Sequence, residues 1–400
     1  MKEVAILGAG YAGLRALRIL QKQAAGKFHI TLVNRNSYHY EATDLHEVAA
    51  GTQPKDRITY EVKDVVNPKV TTFIQDEVVT INPAKKEVEL KNNKALNYDY
   101  LVIALGFRSE TFGIAGAADH ALEMVDIETS VKVNEHIKAM MAKYKETKDK
   151  KYLKLVVCGA GFTGIELVGS MVEAKPKYAK MAGVSPDEIE IFCVEAAPTI
   201  LPMFNDDLTN YCLNQLDKWN VHLMTGSAIK GIEPEHVIYA NGDEEKSLEA
   251  ATIVWTTGVS GSTVMGESGF EERRGRVMVE GNLTAPGHDD VYIIGDVAAV
   301  MDKASNRPYP TTAQIAMKMG EYVAKDLIKR QDGQSMPEFT FESAGSVASI
   351  GNTHAFGMAG KTALKGYPAS FVKKMIMNKS LMETGGMKEL MAKGRFDLYH

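Results

Sequence analysis

Two glycine-rich turns, about 150 residues apart, constrain the fold of this chain more than any other feature. The apolar run 4–7 leads into G-A-G-Y-A-G at 8–13, and the apolar run 155–158 leads into G-A-G-F-T-G at 159–164. A helix-compatible stretch follows each turn. A strand, a G-x-G-x-x-G turn and a helix in this order are typical of a Rossmann dinucleotide-binding unit. The chain is therefore predicted to be an α/β protein with two Rossmann-like domains.

Each glycine of such a turn has its own task. The first allows the tight turn, the second lets the backbone approach a diphosphate, and the third lets the helix pack closely against the strand. The helix N-terminus then offers free N–H groups and a positive dipole end to the phosphates. One turn alone would also fit an ordinary strand-to-helix connection. Two in the same context predict two nucleotides bound face to face, as in an electron-transferring flavoprotein.

The composition is typical of a globular protein in a reducing compartment. Of the 400 residues, 45% are hydrophobic and 24% charged, which allows two or three domains with well-developed cores. Three scattered cysteines, Cys158, Cys193 and Cys212, cannot form a disulfide framework. No apolar run approaches the eighteen or so residues of a spanning helix. A strand begins directly after Met1, so we expect no signal peptide.

The order of the strand-like runs predicts how the two units are arranged. The strand-and-glycine pattern recurs at 100–106, 252–258 and 291–296, which indicates that the second unit is inserted into the first. Lys175-Pro176 and Ser185-Pro186 predict an insertion after the second turn. The predicted domains are an FAD-binding domain at 1–112 and 265–330, an NAD(H)-binding domain at 113–264, and a C-terminal α/β region with amphipathic membrane-anchoring helices at 331–400.

Polar residues at the strand ends predict which nucleotides bind. Glu195 ends the second strand of the second unit, where a carboxylate can accept both ribose hydroxyls and repels a 2′-phosphate, so NADH is preferred to NADPH. The alternative is a Glu195 that faces solvent. The first unit has Asn34 there, and Arg35 beside it suits adenine or phosphate, or is an ordinary surface cation. Asp296, after an apolar strand, can accept from a flavin ribityl hydroxyl or can cap the next helix.

Taken together, these motifs resemble those of one family, the type II NADH:quinone oxidoreductases. These are single-subunit, non-proton-pumping respiratory NADH dehydrogenases of bacteria, and the resemblance covers essentially the whole chain. It is carried by the two glycine turns and by N-R-N-S-Y-H-Y at 34–40, A-L-G at 104–106, I-E at 165–166, V-E-A-A-P at 194–198, G-D at 295–296 and T-A-Q-I-A at 312–316.

The resemblance implies non-covalent FAD, NADH as substrate, and a quinone, with menaquinone favoured. Glu166, Gln314 and Lys318 are the predicted catalytic residues, and Ile376 joins Gln314 and Lys318 at the quinone. Motifs and resemblance together predict cofactor contacts from Gly8, Ala9, Gly10, Tyr11, Ala12, Gly13, Asn34, Arg35, Val78, Ala104, Gly106, Gly159, Gly161, Thr163, Gly164, Glu195, Gly258, Gly295, Asp296, Ala313, Gln314 and Lys373.

Two of these residues carry open alternatives. For Glu166 the resemblance implies nicotinamide positioning or proton handling, whereas an acid favoured by the helix dipole is the simpler interpretation. The family's quinone signature is A-Q-x-A-x-Q, and Lys318 stands where its last glutamine is expected. Glutamine donates and accepts, but lysine only donates. Lys318 therefore either substitutes for the glutamine or changes the quinone preference, and Gln314 is the stronger candidate.

The cysteines argue against related enzymes. Disulfide reductases and sulfide:quinone oxidoreductases pass electrons through reactive cysteines. No two of the three cysteines here are close in sequence, and Cys158 and Cys193 are predicted core residues of buried strands. No spacing typical of metal ligands occurs, and we expect neither a metal nor a nucleic-acid partner.

The C-terminal tail has a distinct charge and pattern. Residues 360–400 contain eight Lys/Arg and three acids, a local charge of +5 in a chain of net charge −5. A helical face of Phe371, Val372, Met375, Ile376 and Met382 is flanked by Lys373, Lys374 and Lys379, and Met387, Leu390 and Met391 repeat the theme. This pattern predicts helices that lie on an anionic membrane surface. A core-closing helix or a homodimer seam is the alternative.

The sequence thus predicts a peripheral flavoenzyme on the cytoplasmic face of the cell membrane. NADH delivers a hydride to flavin N5, and two electrons then pass to a quinone. Two other functions stay open: a soluble NADH-dependent flavin reductase, and an NAD-sensing flavoprotein that regulates a partner.

Overall fold

A computed structural model of the chain describes residues 1–303 and 305–396, so the last four residues of the predicted C-terminal region lie outside it. The helices are α1 Tyr11–Gln23, α2 Leu45–Ala50, α3 Ala117–His120, α4 Ile127–Thr147, α5 Phe162–Ala182, α6 Asp206–Lys218, α7 Val264–Glu267, α8 Ala313–Gln331, α9 Tyr367–Thr384 and α10 Met387–Lys393.

The strands fall on both sides of the second glycine turn. Before it lie β1 Lys2–Leu7, β2 Phe28–Asn34, β3 Tyr38–Tyr40, β4 Thr59–Glu61, β5 Thr71–Gln75, β6 Val78–Asn82, β7 Glu87–Leu90, β8 Leu96–Asn97, β9 Tyr100–Ile103, β10 Phe107–Ser109, β11 Leu122–Glu123 and β12 Lys154–Cys158. After it lie β13 Glu190–Val194, β14 Val221–Met224, β15 Ser227–Glu233, β16 His236–Asn241, β17 Glu244–Glu249, β18 Thr252–Trp255, β19 Val259–Gly261, β20 Glu272–Arg273, β21 Arg276–Met278, β22 Thr284–Ala285, β23 His288–Ile293, β24 Ala298–Ala299, β25 Met301–Asp302, β26 Arg307–Pro308, β27 Gly345–Ser349, β28 Ala355–Ala359 and β29 Thr362–Lys365.

Two mainly parallel sheets repeat one arrangement. The first has the strand order β22-β23-β9-β1-β2-β5, and the second has the order β11-β18-β12-β13-β14. In each, the strand that enters a glycine turn (β1 or β12) pairs on one side with the strand after the turn's helix and on the other with a later apolar strand. Buried strands of this kind are covered on both faces. The predicted α/β class with two Rossmann-like units is confirmed.

The second sheet is nested in the first along the chain. Its strands all lie between β9 and β23, which are neighbours in the first sheet. The antiparallel pair β10 and β19 stands where the chain leaves the first sheet and where it returns. The division of the chain at residues 112, 264 and 330 stays a prediction.

The residues around Lys175-Pro176, predicted to be an insertion, belong to a helix, because α5 runs through Pro176 to Ala182. A proline inside a helix removes a hydrogen bond and costs about 3 kcal/mol. Tertiary packing outweighs that cost here. Tyr178, in the turn after Pro176, is buried, and its hydroxyl donates to the carbonyl oxygen of Ala50 at 2.6 Å. The prolines in the sequence could not by themselves show this contact between α5 and α2.

The C-terminal region is a three-stranded antiparallel sheet, β27 to β29, followed by α9 and α10. The buried side of α9 is mostly polar, and the residues buried there are Ala369, Ser370, Lys374, Asn378, Ser380, Leu381 and Thr384. The exposed large apolar side chains of this region are Tyr367, Phe371, Ile376, Met382, Met387, Met391 and Phe396.

This polarity corrects the predicted tail helix in one respect. Lys373 and Lys374 do not flank the exposed apolar face, because Lys374 is buried and the Lys373 side chain is only 14% exposed. Lys379 is exposed as predicted. Of the apolar residues of α9, Ala369 and Leu381 belong to the protein core, whereas Phe371, Ile376 and Met382 are exposed. The core-closing helix and the dimer seam stay alternatives. In the described part of the chain, no helix combines the length and the apolar character that crossing a bilayer demands.

The contact between α1 and α8 gives a test of the first unit. A Cβ atom on Gly320 of α8 would lie 2.2 Å from the carbonyl oxygen of Ala12 in α1. We expect Gly320→Ala to push the two helices apart and to lower the free energy of unfolding by about 1–3 kcal/mol, although alanine favours a helix. Urea unfolding measures the change.

The matched control is Lys325→Ala on the same helix, whose side chain is 45% exposed and paired with Glu321. Such a surface pair contributes roughly 0–1 kcal/mol. Equal stability of Gly320→Ala and the parent chain would contradict the close packing of α1 on α8.

Candidate functional site

The two glycine turns have the same backbone geometry. Gly8 and Gly159 have φ of +106° and +104°, which only glycine adopts without strain. A Cβ atom on Gly13 would lie 1.9 Å from the carbonyl oxygen of Gly8, and one on Gly164 would lie 1.9 Å from that of Gly159. Both turns therefore demand glycine at the first position because of the backbone conformation and at the third because of space.

The second glycine of each turn faces open space instead. No atom lies within 4 Å of a Cβ atom built on Gly10 or on Gly161. These two residues are the N-caps of α1 and α5, and neither helix has a side-chain cap. The first N–H groups of both helices are thus directed at a space that a side chain would fill. The N-terminus of a helix attracts anions, so both sites fit a diphosphate.

A cavity of about 350 Å³ opens at the first turn. It gathers most of the residues predicted to contact FAD, although they come from distant parts of the chain. Those that line it are Gly8, Ala9, Gly10, Tyr11, Ala12, Asn34, Arg35, Val78, Ala104, Gly106, Gly295 and Asp296. Gly13 lies beneath the turn. The donor set, with glycine N–H groups at one end and a carboxyl group among the lining residues, fits a dinucleotide.

Asn34 and Glu195 occupy equivalent positions and brace their own turns. The Asn34 Oδ1 atom accepts from the N–H of Ala9 at 2.9 Å, and Glu195 Oε2 accepts from the N–H of Ala160 at 2.7 Å. Glu195 Oε1 also accepts from the N–H of Ala197 at 2.8 Å. Each carboxylate oxygen has a second lone pair. Glu195 therefore keeps acceptor capacity for a ribose while it holds the turn.

Arg35 is mostly exposed to solvent, whereas Asp296 is partly buried. The Arg35 side chain is 59% exposed and forms an ion pair with Asp126 at 2.8 Å. Asp296 lies in a short turn directly after β23, and burial raises the pKa of its carboxyl group, an effect that Arg276 opposes. Asp296 does not cap α8, because Thr312 is the N-cap and accepts from the N–H of Ile315. The helix-cap alternative for Asp296 is therefore wrong.

The second turn has a neighbour that the sequence did not reveal. A Cβ atom on Gly258 would lie 2.6 Å from the ring of Phe112, which precedes the strands of the second sheet. The Arg274 guanidinium lies 5.0 Å from the centre of that ring. Thr163 is exposed in the first turn of α5. Phe112 carries no motif, so only the fold shows that it borders this site.

Glu166 is the centre of a buried polar cluster. Its Oε1 atom accepts from the Ser349 N–H and hydroxyl, both at 3.0 Å, and from Lys373 Nζ at 2.9 Å. Its Oε2 atom lies 4.0 Å from His46 Nε2. Burial by itself would raise the pKa of the Glu166 carboxyl group. The Lys373 ammonium, His46 and the hydrogen bonds outweigh burial and hold the pKa below its usual value.

The fold therefore brings Glu166 and Lys373 together, although they were predicted separately. Burial works against the Lys373 charge, but Glu166 raises the pKa of the ammonium group. The hydrogen bonds and the ion pair of Glu166 show that it contacts specific partners on β27 and α9, and not only the helix dipole of α5. Sequence reasoning missed two partners in this cluster: His46, whose Nδ1 lies 2.8 Å from the Ser170 hydroxyl, and Ser349. His46 lies on α2 and Ser349 on β27, whereas Glu166 and Ser170 lie on α5, so no local sequence pattern joins these residues.

The residues predicted to bind quinone are not gathered in the large cavity. The Gln314 amide is taken up by the backbone before β27, accepting from Ala344 N–H at 2.8 Å and donating to the Gly345 carbonyl. The Lys318 side chain is 58% exposed and lies 3.6 Å from Glu321. Ile376 is 46% exposed on α9. Ala313 is the first residue of α8, and Ala316 is the residue of that helix that lines the cavity.

The cysteines are buried and unpaired. Cys158, Cys193 and Cys212 are free thiols in the part of the chain that the structure describes. Burial raises the pKa of the Cys158 and Cys212 thiols to about 12, so neither ionises near neutral pH. Cys158 and Cys193 lie in the core on buried strands, as the sequence predicted.

Comparisons with known proteins show the family of this chain. Residues 2–320 match the family model described as pyridine nucleotide-disulphide oxidoreductase, and the chain belongs to that family. A type II NADH:quinone oxidoreductase from Staphylococcus haemolyticus is 42% identical over 398 residues, 99% of each chain. Its counterpart from Staphylococcus aureus strain MSSA476 is 39% identical, with the same coverage. Within the larger family, this chain is a member of the type II NADH:quinone oxidoreductases.

Two solved structures share the fold at low sequence identity. The NDH2 structure from Plasmodium falciparum in complex with NADH has a TM-score of 0.88 and 19% identity, and the match covers 98% of this chain and 97% of the other. The sulfide:quinone oxidoreductase from Aquifex aeolicus has a TM-score of 0.79 and 18% identity, covering 96% and 92%. These structures share the fold, and the Staphylococcus relatives confirm the predicted family and its oxidoreductase class.

Removal of the Lys373 ammonium tests the Glu166 cluster. We expect Lys373→Gln to lower the free energy of unfolding by about 3–5 kcal/mol at pH 8, because it leaves a buried carboxylate without its cation. In this variant the pKa of Glu166 rises, so stability is lost as pH increases and is recovered when the carboxyl group takes up a proton. Urea unfolding at pH 5.5 and pH 8 measures the difference.

Lys379→Gln, on the exposed side of the same helix, is the control and should change stability by less than about 0.5 kcal/mol at either pH. A Lys373→Gln deficit of the same size at both pH values would contradict the role given to the Glu166 charge.

Proposed function

We propose that this chain oxidises NADH and reduces a quinone with the help of non-covalently bound FAD. The observation that carries the proposal is the repetition of one glycine-turn geometry at two sites, with a cavity of about 350 Å³ at the first and Glu195 at the second. FAD, when bound, would supply a two-electron acceptor whose N5 atom takes the hydride from NADH and which then passes both electrons to the quinone.

The residues of the first turn would hold the FAD. The N–H groups at the start of α1 would bind the diphosphate, and the lack of a Cβ atom at Gly10 would leave room for it. Asp296 lines the same cavity and can accept from a ribityl hydroxyl. Ala104, Gly106 and Gly295 form further parts of the wall.

The residues of the second turn would hold NADH. The start of α5 faces the diphosphate, and Glu195 accepts from the ribose hydroxyls and repels a 2′-phosphate, so NADH is preferred to NADPH. Gly258 leaves room for the Phe112 ring, which borders this turn. The Glu166 and Lys373 pair can hold a proton close to the reacting rings, where quinol formation consumes protons.

Gln314, Lys318 and Ile376 remain the proposed quinone contacts. Lys318 is paired with Glu321, so a quinone carbonyl would have to compete with that carboxylate for the ammonium group. Gln314 is held by the backbone at 344–345 and can contact a quinone only through its remaining lone pair or N–H. Menaquinone is the favoured substrate.

The outward apolar side of α9 and α10 supports a peripheral site on the cytoplasmic face of the membrane. Seven large apolar side chains are exposed between residues 367 and 396, while polar contacts fasten the same helices to the rest of the protein. Arg18 donates to the carbonyl oxygen of Gly385 at 3.1 Å, and Arg57 donates to that of Gly394 at 3.0 Å. Such a surface suits the boundary between headgroups and acyl chains, with Lys379 near anionic lipid.

Anaerobic mixing tests the reaction. The purified protein should be yellow, should bleach with NADH far faster than with NADPH, and should regain its colour when a short-chain menaquinone is added. Flavin that bleaches but returns only with soluble dyes would favour a flavin reductase. NADH binding without bleaching would favour a sensor. Either result would contradict quinone reduction.

Membrane binding is tested by making the exposed side polar. Changing Phe371, Ile376 and Met391 to serine should weaken co-sedimentation with phosphatidylglycerol vesicles by at least about tenfold, because each buried apolar side chain contributes roughly 1.5–3 kcal/mol. The control changes Met181 and Met203, which are exposed on the second unit, to serine. Equal loss in both variants would contradict a lipid surface, and dimers that dissociate only in the triple variant would favour a homodimer seam.

A further inference from the structure

The C-terminal segment inserts an arginine next to the Glu166 cluster. Arg395 is only 5% exposed. Its Nη2 atom lies 3.3 Å from Asp44 Oδ2 and also forms a hydrogen bond with Glu47. Asp44 is 2% exposed and directly precedes α2, the helix that contains His46. A cation from the end of the chain thus neutralises two acids near its beginning.

These two acids face the same small cavity as Lys373. The ionisable residues that line this cavity are Asp44, His46, Glu47, Glu173, Lys373, Lys374 and Arg395. With Glu166 beside it, the cavity is surrounded by four carboxyl groups, two lysines, one histidine and Arg395. Lys373 is therefore close to Asp44 and Glu47 as well as to Glu166, and their charges also raise the pKa of its ammonium group.

The position of Arg395 is fixed by the helix that carries Lys373. Asn378 of α9 accepts from the Arg395 N–H at 2.6 Å and donates to its carbonyl oxygen at 3.1 Å. Asn378 is itself buried. One helix thus presents Lys373 to Glu166 and holds the backbone of Arg395 toward Asp44 and Glu47. The next residue, Phe396, belongs to the exposed apolar side chains.

Competition for cations follows from this arrangement. Burial raises the pKa of the Glu47 carboxyl group, Arg395 acts against burial, and the neighbouring Asp44 adds to it. Without the guanidinium, the cationic groups left around Asp44 and Glu47 would be Lys373, Lys374 and His46 in this cavity, and Arg57 and Lys393 in the adjoining one. Of these, Lys373 is the one whose pKa the two acids raise. Lys373 cannot serve these acids and Glu166 equally, because its bond to Glu166 fixes the ammonium group at 2.9 Å.

We propose that Arg395 is a positioning residue that binds Asp44 and Glu47 and so reserves Lys373 for Glu166. The part that concerns catalysis rests on the proposed function, since it assumes that the Glu166 and Lys373 pair serves quinone reduction. The charge balance itself does not depend on that function. The segment proposed to lie on the membrane would thereby also complete the buried charge balance of the site.

The test compares Arg395→Gln with Glu47→Gln/Arg395→Gln, which removes one charge of each sign. Arg395→Gln should slow reoxidation of the reduced protein by menaquinone about tenfold or more at pH 7.5 and should shift the pH profile of that step to higher pH. The double variant should recover most of the rate and the parent profile. Arg395→Lys, which keeps the charge, should fall between them. Bleaching by NADH should stay within about twofold in all three.

A second measurement does not depend on any activity. In Arg395→Gln the pKa of the buried Glu47 rises further, so stability contributed by its protonated form is lost as pH increases from about 5 to 8. Thermal unfolding should show this loss in Arg395→Gln and not in the double variant. Lys388→Gln is the control, because it removes a cation from α10 that pairs with the surface residue Asp64. It should follow the parent chain in both measurements.

The outcomes separate the two proposals. If the parent chain is not reoxidised by menaquinone, the proposed function is wrong, and the unfolding profiles alone decide the role of Arg395. If the double variant is as slow and as pH-sensitive as Arg395→Gln, or if Arg395→Gln keeps the parent pH profiles, Arg395 has only a structural role. If Arg395→Gln does not fold, a double variant that also fails to fold would equally overturn the proposal, whereas one that folds with the parent profiles would support it.

Discussion

The structure depends on one close approach, made twice. At each glycine turn the helix comes so near to its strand that the third glycine touches the carbonyl oxygen of the first. A methyl group at Gly13 or Gly164 would have no space, and the helix would have to move away. Because the helices stay close, their N-termini are directed over the ends of β1 and β12. The same contact thus sets the packing of each unit and opens the space for a diphosphate.

A buried charge cluster joins α2, α5, β27 and α9, in addition to the apolar core that α2, α5 and β27 share. Glu166 joins α5 to β27 through Ser349, to α9 through Lys373 and, at longer range, to α2 through His46. Buried ionic groups stabilise little in net terms, since desolvation offsets their attraction, but a missing partner is costly. A cluster of this kind therefore specifies one arrangement of these elements. It also keeps a carboxylate and an ammonium group where proton transfer would be useful.

The C-terminal helices reverse the usual distribution of polarity. Their polar residues, among them Lys374, Asn378 and Ser380, face the protein, and Phe371, Ile376 and Met391 face outward. This reversal would be unfavourable for a helix surrounded by water on its outer side. It is reasonable where polar contacts fasten the helix inward and a lipid surface covers it. The last of the buried polar contacts is made by Arg395, and the next residue, Phe396, is the last of the exposed apolar side chains.

The sequence by itself determined the α/β class, both glycine turns and the family, because a strand, a turn and a helix that follow each other in the chain leave a local pattern. It also predicted twelve of the 27 residues around the first cavity, most of which follow a strand whose end the pattern reveals. Only the tertiary structure decided that α5 continues through Pro176, that Lys373 and Lys374 point inward, and that Phe112, Ser349 and Arg395 belong to the site. These positions depend on contacts between elements far apart in the chain. Periodicity records which residues can share a face, but not whether that face meets polar groups, apolar groups or neither.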